Sequence, residues 1–143
     1  MSVENSFPNL KAGAYHATSP QSLDYNCMAW AAGDDGQWWW PDDDAFWPTT
    51  DRAATVAVFV KAFATLGYTP TESEHIEDGF ERVALFAKDS RVTHAARQIP
   101  NGRWTSKLGY DVDIEHDLRA LDGPVYGRVV QIMRRPARPL PLA

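Results

Sequence analysis

The residue best suited to covalent chemistry occurs once in this chain, as Cys27 in Tyr25-Asn26-Cys27-Met28-Ala29-Trp30. A thiol attacks carbonyl groups as its thiolate, and two devices favour that form, the positive end of a helix and a neighbouring imidazolium. Ser22, Asp24 and Asn26 are alternative N-caps, and Cys27 to Ala32 reads as a helix that stops at Gly33, which puts the thiol in a first turn. An imidazole arrives much later, as His94 in the strand-like Val92-Thr93-His94-Ala95-Ala96-Arg97-Gln98. Gln21, six positions before Cys27, offers a side-chain amide that can hold an oxyanion together with the Cys27 backbone N–H. The plainer reading is a core cysteine, since free Cys is among the most buried residue types and Met28, Ala29 and Trp30 suit an interior helix. A core cysteine needs no partner, so His94 discriminates between the two.

The elements that must position these groups follow an α+β pattern. Residues 1–20 read as an irregular N-terminal segment broken by Pro8 and Pro20, and the Cys27 helix follows. From Asp51 to Leu66 the apolar residues Val56, Phe59, Val60, Phe63 and Leu66 recur at helical spacing, with Thr50 as the expected cap and Gly67 as the stop. After a turn-rich stretch at 68–79, Phe80 to Ala87, Arg91 to Ile99 and Gly102 to Leu108 read as strands. Asn101-Gly102 is a hairpin signal between the last two, so His94 belongs to the first strand of a hairpin. A short helix is expected from Asp113 to Leu121 and a final strand from Val125 to Met133. The 135–143 end reads as a Pro-rich, solvated tail. No repeat or domain boundary breaks the 143 residues, which are expected to form a single domain.

A helix with Cys, a further helix, then an antiparallel sheet with His on a strand is an order that resembles the papain-like superfamily, in its compact NlpC/P60 and CHAP types of cysteine amidase. The resemblance implies a papain-like α+β fold, with N-terminal helices packed on a small antiparallel sheet. It also implies a third polar side chain on the strand after the His strand, which falls on Ser106, where that superfamily usually has His, Asn, Asp or Gln. Tyr25-Asn26-Cys27-Met28 is similar to, but differs from, the Asp-Cys-Ser and Asn-Cys-Thr openings of those families. YNCMAWAAG, WWWP, HAARQ and RWTSKLG are also similar to a family of uncharacterised bacterial proteins. On the superfamily resemblance, Cys27 attacks an amide, His94 handles the proton, Ser106 orients the imidazole and Gln21 holds the oxyanion. The result is a peptidase, amidase, deamidase or acyltransferase that needs no cofactor.

Composition narrows the partners. The net charge of −5, with acidic residues gathered at Asp34-Asp35, Asp42-Asp43-Asp44, 72–78 and 111–117, repels a phosphate backbone and excludes a general nucleic-acid binder. No apolar run approaches the ~18 residues of a membrane span. The opening MSVENSFPNLKAGAYHA has neither a basic nor an apolar signal region, and one Cys permits no internal disulfide, so a cytoplasmic location is expected. His16, His75 and His116 lack zinc-ligand spacing and the Asp42 run lacks the pattern of a calcium loop, so no metal is expected. Glu115-His116-Asp117 reads as a turn of surface helix. Trp38, Trp39, Trp40 and Trp104 are candidate stacking platforms for a peptide or amide substrate, set against the packing that most tryptophans serve. The competing function is a non-catalytic partner-binding or immunity-type protein that presents the Trp-rich loop to a protein partner.

Overall fold

The computed structural model of the chain describes residues 16–19, 27–32, 39–41, 47–50, 53–99, 101–107 and 113–136. In chain order these form β1 (His16–Ser19), α1 (Cys27–Ala32), α2 (Val56–Ala64), β2 (Thr69–Thr71), β3 (Phe80–Lys88), β4 (Arg91–Gln98), β5 (Trp104–Lys107), β6 (Asp113–His116), a 3₁₀ turn (Leu118–Leu121) and β7 (Arg128–Pro136). All seven strands join one sheet in the order β1-β6-β5-β4-β3-β7-β2, and every pairing is antiparallel.

This overturns the expected papain-like α+β arrangement of helices packed on a small sheet. The sheet is the body of the described structure, and its two helices have only six and nine residues. Nine-residue strands at β3 and β7 pair along most of their length, so long-range ladders organise a chain that the apolar periodicity of 51–66 made look helix-led. The helix of that segment starts later than expected. Thr55, not Thr50, is its cap and accepts from the Val58 N–H at 3.4 Å.

The second correction is at Asp113–His116, a strand instead of a helix. Its residues pair with β5 on one side and β1 on the other, and Ile114 and His116 are buried while Glu115 between them is not. That period of two belongs to a strand, and two neighbouring strands outweigh a weak helical preference. The third is the basic end. Arg134 and Arg135 lie in β7, where Arg134 pairs with Glu77 at 2.6 Å and Arg135 with Glu81, and Arg135 also stacks over Tyr68. The solvated tail therefore does not begin at 135. Residues 137–143 lie outside the described part.

Alternation along the strands divides the core. Val83, Leu85, Ala95 and Met133 face α1 and α2 and join Met28, Phe59, Phe63, Trp39 and Trp47 in one cluster. Ala84, Phe86, Ala96, Trp104, Ile114 and Ile132 form a second cluster with Leu118 and Leu121 of the 3₁₀ turn. The register places Phe86 opposite His94, Gln98 opposite Trp104, and Trp104 opposite His116, so His94, Gln98 and His116 belong to the second side.

Candidate active site

Cys27 opens α1 and is buried in the helix-side cluster. α1 lies against β4 and β5. Those two strands are paired at Arg97–Thr105 and Gln98–Trp104, toward the far end of β4 from His94. On the other side of β4, Val92 is opposite Ala87 and His94 opposite Phe86, which leaves Thr93 as an extra residue in a bulge immediately before His94.

His94 is 0% exposed, and neither ring nitrogen has a hydrogen-bond partner among the described residues. Its ring lies flat on that of Tyr126, with centroids 4.0 Å apart and planes at 9°, and edge-on to Phe86 at 5.3 Å. Burial holds the imidazole well below its usual pKa, and the charge of the neighbouring His116 pushes the same way. His94 is therefore neutral at physiological pH. Tyr126 is pushed up from the ordinary phenol range, chiefly by burial and then by the charge of Cys27. Its ring stacks on His94 while Cys27 bears on its titration, although Cys27 belongs to the helix-side cluster and His94 to the other face of the sheet.

Ser106 contacts a different histidine from the one expected. Its Oγ is 2.7 Å from His116 Nε2, and His116 Nδ1 is 2.7 Å from the Asp117 carbonyl oxygen. A carbonyl oxygen only accepts, so Nδ1 carries the proton, Nε2 of the neutral ring accepts, and the Ser106 hydroxyl donates to it. Both side chains are fully buried. Burial lowers the His116 pKa from 6.5 to about 4, opposed by its bond to Asp117 and helped by the charge of Arg103. The arrangement is a serine–histidine pair aimed by a backbone carbonyl, enclosed by the second cluster. The expected surface helix turn at Glu115-His116-Asp117 is in this way replaced by a buried polar pair.

Gln21 and Trp38 lie outside the described residues. Trp39 and Trp104 are buried at 5% and 3% exposure, and Trp40 meets Phe59 edge-on at 5.5 Å. Their faces serve the core, as six tryptophans in a chain of this length must mostly do. Among the described residues no group of three metal-binding side chains converges. A cavity of about 300 Å³ lies at the other end of β4, lined by Ile76, Glu77, Glu81, Arg97 and Ile99 among others. Glu77 and Glu81 are already held there by arginines.

Sequence reasoning missed Tyr126, which sits in Gly123-Pro124-Val125-Tyr126-Gly127. The signal was the paired glycines. Gly123 and Gly127 exchange two backbone hydrogen bonds of 2.8 Å and close a small loop, and Gly127 has φ +80°. A Cβ at Gly127 would overlap the Ala87 carbonyl oxygen and stand 2.7 Å from its carbon, so only glycine lets this loop sit down on β3.

No curated protein and no solved structure matches the chain. A family described as a domain of unknown function, DUF7689, matches residues 16–134, most of the chain and all the groups just described, and the chain belongs to that family.

Proposed function

We propose that this protein is a cysteine-dependent acyl-transfer enzyme acting on an amide bond, with Cys27 as nucleophile and His94 as general base. The state of His94 carries the reading: buried, held uncharged, with both nitrogens unbonded among the described residues. A histidine kept for packing alone wastes about 1–3 kcal/mol for each buried nitrogen left unsatisfied. A base needs an uncommitted lone pair, and here that cost is offset by use.

Burial keeps the imidazole of His94 uncharged at rest, so it is ready to accept a proton. As the Cys27 sulfur attacks the carbonyl carbon, its proton passes to a His94 ring nitrogen. The imidazolium then gives that proton to the leaving amine, the C–N bond breaks and a thioester remains on Cys27. Water adds to the thioester while losing a proton to His94, and the carbonyl collapses with return of that proton to the thiol and release of a carboxylic acid. An amine in place of water gives transfer, and a glutamine side chain as substrate gives deamidation.

The test is alkylation of native protein by iodoacetamide across pH, with Cys27 identified by peptide mass. Wild type is expected to label without denaturant, and His94→Ala to slow labelling by about tenfold or more, at the low end of the effect of a positioned base. Labelling that requires denaturant and ignores His94 would remove the reading and leave a binding role.

A further inference from the structure

The fold holds His94 by its face. A base in a nucleophile–base pair is normally aimed by a hydrogen bond from its far nitrogen to a third group. Among the described residues His94 has no such bond, and Ser106, on the neighbouring strand, donates to His116 instead. What His94 has is the parallel ring of Tyr126 at 4.0 Å and the edge of Phe86 at 5.3 Å.

Tyr126 is in turn fixed by its backbone at several points. Its carbonyl oxygen accepts from the Thr93 hydroxyl at 2.6 Å, and Thr93 is the bulge residue beside His94. The Pro124 carbonyl accepts from Lys88 Nζ at 2.7 Å. The Gly123–Gly127 bridge closes the loop, and the contact of Gly127 with Ala87 presses it against β3. Tyr126 itself is only half-buried while His94 beneath it is wholly buried, so the tyrosine ring covers the imidazole on that side.

We infer that Tyr126 is the positioning residue for His94, a stacked clamp that stands where a hydrogen-bonding third group would otherwise be and leaves both imidazole nitrogens free for proton transfer. The inference rests on the general-base role of His94 for its catalytic consequence, while the clamp itself is a property of the folded chain that can be tested separately. Stacking fixes the ring plane without raising basicity as a carboxylate would. Among the described residues, the titratable groups that act on His94 are Tyr126, stacked on its ring, and His116, whose charge also holds its pKa down.

Two measurements test this. In wild-type protein, proton–carbon NMR of the imidazole should show His94 ring protons moved upfield by the tyrosine ring current, and resonances that do not titrate near pH 6.5. Tyr126→Phe, which keeps the stack and removes the hydroxyl, should keep both the upfield position and the wild-type pH profile of Cys27 alkylation. Tyr126→Leu should lose the upfield position, bring His94 titration back toward its ordinary range and remove the His94-dependent part of the alkylation rate, about tenfold. Unshifted His94 resonances in wild type would overturn the clamp whether or not the leucine variant folds. A leucine variant that alkylates with the wild-type profile would overturn its positioning role. A clamp seen by NMR with alkylation indifferent to His94→Ala would refute the catalytic reading and leave the clamp standing.

Discussion

On the helix side of the sheet, Val83, Leu85, Ala95 and Met133 meet Phe59, Phe63, Met28 and Trp47 in a contact dominated by aliphatic and aromatic side chains. On the other side the same strands carry Arg82, His94, Gln98, Ser106 and His116, five of the six buried polar side chains among the described residues. Thr105 is the sixth. One strand thus feeds two interiors, because successive side chains point to opposite faces. The apolar side is held by area removed from water, which tolerates imperfect geometry. The polar side depends on individual bonds: Ser106 to His116, His116 to Asp117, Arg82 to Glu77, and Gln98 to the Glu74 and Gly102 carbonyls. Burial of so much polarity opposite an ordinary core makes the second side depend on exact geometry where the first depends on area.

Truncation on the apolar side should cost most. Phe59→Ala, which removes a ring that Trp40 and Trp47 both pack against, should lower unfolding free energy by about 4 kcal/mol in urea denaturation. A value below about 1 kcal/mol would mean that this side is not the principal core. Gly127→Ala attacks the polar side through its clamp. The added methyl and the positive φ together should cost about 3 kcal/mol, and a near-neutral result would show that the loop can lift away from Ala87.

Acid separates the sides more sharply. Above pH 6.5 His116 is neutral whether folded or unfolded, so its depressed pKa has no effect on stability. As pH falls from 6.5 the unfolded chain takes up the proton that the folded site refuses until about pH 4. Stability should therefore fall by about 1.5 kcal/mol through His116 between pH 6.5 and 5, a window in which most carboxylates stay ionised. His94 is shifted in the same direction and steepens the slope. Replacing His116 by Gln should flatten the curve, and an unchanged slope would place the proton uptake elsewhere. The smallest effect is expected from Ser106→Ala. It leaves His116 Nε2 without its donor and should cost about 1–2 kcal/mol, much of which should return in the Ser106→Ala, His116→Leu double variant, where no unsatisfied partner remains.

Legibility in the sequence followed the range of the interactions. The α2 helix, the β3 and β4 strands and the hairpin at Asn101-Gly102 were readable because each rests on local periodicity or turn chemistry. β1 and β2 were not, being short edge strands that exist through pairing with β6 and β7. Cys27 and His94 were singled out as candidates by residue type and chain order alone, which say nothing of the opposite faces of the sheet on which they lie. Ser106 was singled out by its place on the strand after His94, yet its partner proved to be His116, because the β5–β6 register sets their side chains together. Tyr126 left almost no local trace, since stacking is decided by where a loop lands.

By itself the sequence determined the chemical inventory: one thiol, four imidazoles, an acidic surface and alternating strands able to bury two faces. Those properties are carried by residue identity and by spacing over a few positions. The tertiary structure alone decided that sheet and not helix would dominate, which histidine would be bonded and which left bare, and which aromatic ring would hold the bare one. Each of these depends on pairing between segments far apart in the chain, and strand register, which no short window of residues contains, selects the neighbours of every side chain it places.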